Sequence, residues 1–411
     1  MKFTRYQMFV VGLLAFLQFT IILDFMILSP LGAILLPELH IATPQFGLLV
    51  SVYAWSAGVS GLLTAGFADK FDRKKLLLFF YAGFILGTVL CGLAASYHLL
   101  LAARIVTGVF GGVIGSITLA IAADLFPLEM RGRVMGVVQS SFAASQVMGL
   151  PVGLWLANRW GWHAPFFMIA GIGAAVGLVI AWGLKPIDAH LKIKNDRSAF
   201  QHLFKTVSKP VYLRGFAATI LLATGGFMLM PFGSAFTVNN LGISLKKLPE
   251  IYLVTGICAI IAAPLIGRLS DRTGKYPIFF LGTVLTIIMV TIYCHLGITP
   301  LWEVIVINAL LFIGISSRMI PVSALISAVP DLKDRGAFMS VNSSLQFFAG
   351  GIASALAGLI VVQTASGRID RYGLLGWVVV AAMAITLVLM YSVHKIVLAK
   401  TKAAAPTVKG P

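Results

Sequence analysis

The sequence predicts an all-α membrane protein with twelve spanning helices arranged as two six-helix bundles. Three observations carry that expectation. The 411-residue chain is 59% hydrophobic and only 11% charged, too apolar for soluble domains of that length. Runs long enough to cross about 30 Å of hydrocarbon, roughly 20 residues each, recur twelve times along the chain. Short patterns in one half also return at matched positions in the other.

The first six runs lie near 7–36, 45–67, 76–95, 99–123, 134–157 and 165–184. The second six lie near 212–238, 249–269, 277–296, 301–329, 337–363 and 373–394. The first run follows a basic start (Lys2, Arg5) and has no small-residue cleavage site, so it reads as an uncleaved span. Between the halves, 185–211 is polar and reads as a linker, with a short amphipathic helix expected around Phe200 to Phe204. The expected organisation is therefore an N-terminal bundle over 1–184, the linker 185–211, a C-terminal bundle over 212–396 and a tail over 397–411.

Charge orients the chain. The net charge of +17 is scattered through short loops and makes no basic face, which argues against nucleic acid. With both termini inside, 24 of the 31 Lys and Arg residues lie on the cytoplasmic side. Arg159, Lys246, Lys247, Arg368 and Arg371 fall outside, while Arg104 and Arg318 lie within spans. That bias predicts a multi-pass protein of the cell inner (cytoplasmic) membrane with both termini cytoplasmic. Cys91, Cys258 and Cys294 sit in apolar runs without paired spacing, so neither a disulfide framework nor a zinc site is expected. There is no Walker-type loop, metal-ligand cluster or nucleophile with a base, so an ATP-driven pump and an enzyme are disfavoured and no cofactor is expected.

FADKFDRKK after the second run is answered by LSDRTGKYP after the eighth, a shift of about 202 residues. RGRVMGVVQSS is answered by RGAFMSVNSSL at about 204, so that Arg131, Gly132, Met135, Val137 and Ser140 recur as Arg335, Gly336, Met339, Val341 and Ser344. Parallel repeats of this kind imply, in transporters, a pseudo-twofold axis along the membrane normal and a binding site between the halves.

These patterns resemble the major facilitator superfamily over essentially the whole chain. The family's loop signature G-x-L-a-D-r-x-G-r-k is matched closely by GRLSDRTGK, and less closely by AGFADKFDRKK, which has Ala65 and Asp72 at the glycine positions. The resemblance implies a conformational latch made by Asp69, Arg73 and Lys74 in one half and by Asp271, Arg272, Gly274 and Lys275 in the other. LAARIVTGVFGG places Arg104 and Gly108 at the spacing of the superfamily's drug and metabolite exporters. GLPVG, with Gly149, Pro151 and Gly153, is similar to the helix-packing motif of their fifth span in the spaced form found in exporters of sugars and nucleosides; GWHAPF has His163 where that branch has Arg. The repeat geometry implies alternating access of a small-molecule substrate, and one chain holding both repeats is expected to act as a monomer in the lipid bilayer, with protons as the expected coupling ion.

Asp24 is the only carboxylate deep in a span. An ionised carboxylate at the bilayer centre costs at least ~2.5–3.5 kcal/mol, so it is retained where it faces protein or a water-filled cavity. In the family's architecture spans 1, 4, 7 and 10 line that cavity, which places Asp24, Arg104 and Arg318 around it. Asp24 and Arg104 are the expected proton-coupling residues, the alternative being a permanent structural ion pair. Arg318 is a candidate partner for a substrate carboxylate or phosphate, or for Asp24 itself. Gln18, Gln139, Gln146, Asn308, Asn342 and Gln346 are candidate substrate contacts or interhelical hydrogen bonds. Met228 and Phe232 are candidates for an apolar pocket wall, against ordinary packing. Gly225, Gly226, Pro231 and Gly233 predict a bend in the seventh span. The function expected is a proton-coupled antiporter exporting a drug or small organic metabolite. The alternatives are uptake by symport or facilitated diffusion on the same fold and, more remotely, a transport-inactive receptor; a channel is disfavoured by the lack of a ring of like charges.

Overall fold

Each half begins with a helix that its own sequence breaks. In the computed structural model, which describes residues 3–64, 68–188, 191, 208–331 and 334–404, α1 (Arg5–Ile27) stops short of Pro30 and resumes as α2 (Gly32–Glu38). Pro30 cannot donate a backbone hydrogen bond, and that loss ends the helical ladder. The chain expected as one run over 7–36 is thus two helices. The second half repeats the device: α9 (Pro210–Leu229) passes through a tight turn at Met230–Phe232 into α10 (Gly233–Asn239), where the glycines and Pro231 predict a bend.

The remaining helices of the first half are α3 (Thr43–Thr64), α4 (Arg73–Leu93), α5 (Tyr97–Leu125), α6 (Leu128–Ala144), α7 (Leu150–Trp160) and α8 (Ala164–Gly183). Those of the second are α11 (Leu248–Thr273), α12 (Lys275–Cys294), α13 (Leu301–Ala328), α14 (Arg335–Ile360) and α15 (Tyr372–Ala404), with a two-residue hairpin, β1 (Val362–Gln363) and β2 (Ile369–Asp370), before the last. Eleven spans among the described residues are long, apolar and regular enough to cross a bilayer. The fifth of the twelve expected is interrupted, because a π turn at Ser145–Gly149 joins α6 to α7 within one continuous stack. Side chains such as Phe79, Leu281, Leu359 and Trp182 are more than 60% exposed, an outward apolar surface that suits lipid. The last helix continues to Ala404, past the expected end of the bundle at 396, where Lys400 Nζ donates to Val329 O and Asp331 Oδ1, both at 2.7 Å. The amphipathic helix expected around Phe200 to Phe204 lies outside the described residues.

The packing of the halves differs between the two ends of the molecule. Toward the end holding both termini, Val10, Leu14, Leu77 and Ile117 belong to a core built from the first half alone, and Phe216, Phe279, Val322 and Phe338 to one built mainly from the second. At the distal end a single core joins Leu31, Phe46 and Leu154 to Phe232, Ala235 and Leu241. There the two helix breaks meet, with Ser234 Oγ donating to Ser29 O at 3.0 Å and Ala33 N donating to Ser234 Oγ at 3.3 Å. α3 and α14 also touch backbone to backbone. A Cβ on Gly47 would stand 2.7 Å from Ser354 O, and one on Gly358 the same distance from Thr43 O. Such glycines allow the close approach that drives helix association in lipid. Thr43 Oγ1 and Ser51 Oγ bond across this seam to Val361 O and Gly351 O at 2.7 Å each. The halves share one core at the distal end and keep separate cores toward the terminal end, where α3 and α14 still meet at Gly58 and Ser344.

Candidate functional site

The charged centre of the first half is assembled by four helices. Asp24 on α1 accepts from Arg104 Nη1 on α5 through Oδ2 at 2.7 Å and from Thr88 Oγ1 on α4 through Oδ1 at 3.2 Å. Arg104 Nη1 also reaches Asp24 O at 3.2 Å, and its guanidinium lies 4.4 Å from the ring centre of Tyr53 on α3. Both charged side chains are essentially inaccessible, at 0% and 1% exposure. Phe25 packs on Tyr53, with ring centres 5.3 Å apart, and on Phe227 of the second half at 5.8 Å. The aromatic layer stands between the ion pair and the plane where the halves meet. A paired, hydrogen-bonded carboxylate of this kind offsets its burial locally, and its protonation requires giving up a bond to Arg104 or Thr88.

Arg318 stands apart from this pair. It is 3% exposed on α13, and its Nε and Nη2 have no hydrogen-bond partner among the described residues. Of the three charges expected around one cavity, Asp24, Arg104 and Arg318, two are in contact. The first two are closed inside the first half, and Arg318 lies within the second, near Gly225 of α9 and Met383 of α15. The sequence left open which arginine pairs with Asp24, and the fold selects Arg104.

The two loop motifs also differ. Arg73 is buried, donating through Nε to Asp124 Oδ2 at 3.2 Å and through Nη1 to Ala68 O at 2.9 Å, while Lys74 Nζ donates to Ala181 O at 2.8 Å. Asp72 caps α4 by accepting from Lys75 N and holds the segment after α8 by accepting from Ile187 N, both at 2.9 Å. In the second half the same turn is made by Gly274 at φ +100°, and Asp271 pairs with Lys275 one helical turn away. Asp72 thus replaces a glycine by capping rather than by adopting a left-handed backbone. Arg272 is exposed, and the side chain of Asp69 lies outside the described residues. A small cleft of about 140 Å³ adjoins Arg73 between the halves, lined also by Thr64, Ser116 and Ser340.

The helix-packing residues make close contacts. A Cβ on Gly108 would stand 2.5 Å from Tyr53 O, and Cβ atoms on Gly149 and Gly153 would stand 2.5 Å from Leu23 and 2.6 Å from Ile27 respectively. Pro151 is buried beside them. Met228 and Phe232 do not line an open pocket; both are within 1% of full burial, and Phe232 packs on Phe46 across the distal seal, ring centres 5.7 Å apart. Asn342 accepts from Thr219 Oγ1 at 2.7 Å, and Asn308 donates to its own helix at Val304 O, so both are engaged within their half. Gln146 is nearly buried in the π turn, Gln18 and Gln346 are half-buried, and Gln139 is exposed.

Sequence reasoning missed Tyr53 and Thr88, which carry no signal inside apolar runs, and Asp124, an acid amid basic loops. It also missed a cluster at the terminal end of the second half. There Asp334 takes Lys209 Nζ and, at 2.9 Å, Tyr212 OH, while Asp331 N donates to Tyr212 OH at 3.1 Å. The Lys400 ammonium holds the Asp331 carboxyl below its usual range, mainly through their hydrogen bond.

Comparison with known proteins agrees with this architecture. The chain is 26% identical over 355 residues to the uncharacterized MFS-type transporter YceJ of Bacillus subtilis (strain 168), covering 84% of this chain and 88% of that relative. Its fold is similar to a crystal structure of a bacterial homolog of the human lysosomal transporter Spinster, inward-facing and unoccupied. That likeness has a TM-score of 0.71, 15% identity and 98% coverage of both chains. It is also similar to the nucleoside transporter NupG, with a TM-score of 0.74, 11% identity, and coverage of 94% of this chain and 99% of that one. The family profile of the Major Facilitator Superfamily matches residues 14–354 and 215–409. Two six-helix repeats packed about a shared distal seal, with the profile spanning both, make this chain a member of the Major Facilitator Superfamily and a multi-pass membrane transporter rather than an enzyme.

Proposed function

We propose that the chain is a proton-coupled antiporter that exports a small organic metabolite or drug, with Asp24 as its proton site. The observation that carries this reading is the buried Asp24–Arg104 pair, seated a few residues before the break between α1 and α2. Rocking of the halves must open the distal seal, and the break and α2 belong to that seal through Ser29 and Ala33 respectively. Motion at the break therefore acts on the end of α1 that carries Asp24. The paired carboxylate fits the deprotonated state, and loosening it from Arg104 while the distal end is open would let it take a proton from that side. Substrate and proton then compete through a coupling free energy between two ligands, and an inward proton gradient drives substrate outward.

From the basic bias of the loops we read both termini as cytoplasmic and the membrane as the cell inner membrane. With that orientation, we read the state described, whose halves keep separate cores at the terminal end, as facing inward. We read the chain as a monomer with protons as its coupling ion and no other cofactor, and the Asp271–Lys275 and Arg73–Asp124 groups as parts of latches that engage when the terminal end closes. A second reading, symport or facilitated uptake of a nucleoside-like solute, draws on the similarity to a nucleoside transporter, since fold alone does not set direction.

The test is lumenal pH in proteoliposomes carrying a proton gradient, recorded as drugs, sugars, nucleosides and amino acids are added. Antiport predicts that a transported compound moves protons through wild type and not through Asp24→Asn. Transport of a compound with no proton movement in either protein sinks the antiport reading and favours facilitated diffusion.

A further inference from the structure

Resting on the transport reading above, we propose that Arg318 and Gly225 form an oxyanion subsite, so that the substrate carries a carboxylate or phosphate group. The argument begins with register. Pro30-Leu31-Gly32-Ala33 at the first helix break is answered by Pro231-Phe232-Gly233-Ser234 at the second, and Gly32 and Gly233 each open a seven-residue helix. Counting back eight positions from each glycine, the residue of the second half that answers to Asp24 is Gly225.

In the first half, this position holds a carboxylate on which an arginine from α5 closes at 2.7 Å. In the second half, an arginine from α13, the counterpart of α5, closes on the same position. Arg318 Nη2 stands 4.0 Å from where a Cβ on Gly225 would be. The guanidinium is thus in place and the carboxylate is missing. Arg318 is 3% exposed with Nε and Nη2 unpartnered, and Met383 supplies the wall, its Cε and Cγ 3.6 and 3.7 Å from the same point. A buried, unpaired cation beside bare helix backbone and an apolar wall is complementary to an anion of limited size. Guanidinium geometry favours two-oxygen groups, which carboxylate and phosphate both present. The site can accept a side chain at Gly225, since no atom lies within 3.4 Å of the Cβ position.

That fit supplies a test independent of the unknown substrate. The full-length protein in detergent is compared by thermal melting as wild type, Gly225→Asp, Gly225→Ala, and Gly225→Asp combined with Arg318→Gln. The proposal expects Gly225→Asp to melt several degrees above Gly225→Ala, with the gain lost when Arg318 is Gln. Equal melting of the Asp and Ala variants, or a gain that survives Arg318→Gln, overturns the juxtaposition. A second arm uses matched probes: glucose against gluconate and glucose 6-phosphate, and nucleosides against nucleoside monophosphates. An anion that raises the melting point of wild type, while its neutral counterpart and the Arg318→Gln protein stay silent, supports the subsite and tells carboxylate from phosphate. A neutral compound transported equally by wild type and Arg318→Gln overturns the inference and leaves the transporter reading standing. If no probe binds or moves, the transport reading fails for these classes, and the Gly225→Asp comparison still decides the geometry.

Discussion

The two halves of this protein share a fold and differ in what they do with an arginine. In the first, Arg104 meets Asp24 with Thr88 and Tyr53 around it; in the second, Arg318 lies against Gly225 and has no carboxylate. The difference teaches how the two halves treat a buried arginine: one supplies a carboxylate to it, although Arg104 Nε stays unpartnered, and the other supplies none among the described residues. An uncompensated charge in lipid is costly, so the second arrangement points to a ligand more strongly than the first.

Breaking the first half's pair from one side is the largest expected effect. Arg104→Gln leaves Asp24 buried without its cation and should lower stability by about 3–5 kcal/mol, read as a large drop in melting temperature in detergent. Asp24→Asn combined with Arg104→Gln should recover much of that loss. A single variant as stable as wild type would mean the pair is not closed from water as described.

The two loop turns offer a second contrast. Gly274 at φ +100° makes its turn by a backbone conformation that L side chains avoid, so Gly274→Ala should cost about 1–2 kcal/mol. Asp72 makes the matching turn as a cap, and Asp72→Ala should cost about 1 kcal/mol. Exchanging the two residues should harm the second half more than the first, as chemical denaturation or melting would show.

A smaller effect, of opposite sign, is expected at Arg318. Replacing an unpaired buried cation by an apolar side chain of similar length, Arg318→Met, should leave stability unchanged or raise it by about 1 kcal/mol while transport falls. A loss as large as that of Arg104→Gln would show Arg318 to be paired after all, and would erase the contrast between the halves.

The smallest effect concerns pH at the terminal end of the second half. Lys400 lowers the Asp331 pKa, so the folded state gains stability above the unfolded value, about 3.9, and loses it as the pH falls through the lower folded value. Lys400→Ala should therefore lower the melting temperature at neutral pH and leave it nearly unchanged in strong acid. The shift should be slight because Asp331 is largely exposed.

Much of this was legible beforehand for a physical reason: hydropathy, loop charge and repeated turn motifs are local properties. They located the spans, the repeat, the isolated Asp24 and the bend near Pro231. The break at Pro30 was hidden because Leu28 to Leu36 stays apolar through it, and hydropathy does not report a lost hydrogen bond. The end of α15 was hidden because Lys400 reads as a tail charge until Val329 O and Asp331 are brought to it. Met228 and Phe232 were equally apt for a pocket or a seal, and only the approach of Phe46 from the other half assigns Phe232 to the seal.

By itself, then, the sequence determined that the chain spans a membrane, that it is a doubled six-helix unit, and that it holds one deep acid and two deep arginines. Composition and spacing suffice for these because the bilayer constrains every span independently. Which arginine takes the acid was decided only by tertiary structure. Helices distant in sequence set the depth and direction of each side chain, and a buried charge is satisfied or stranded by a few ångströms of position.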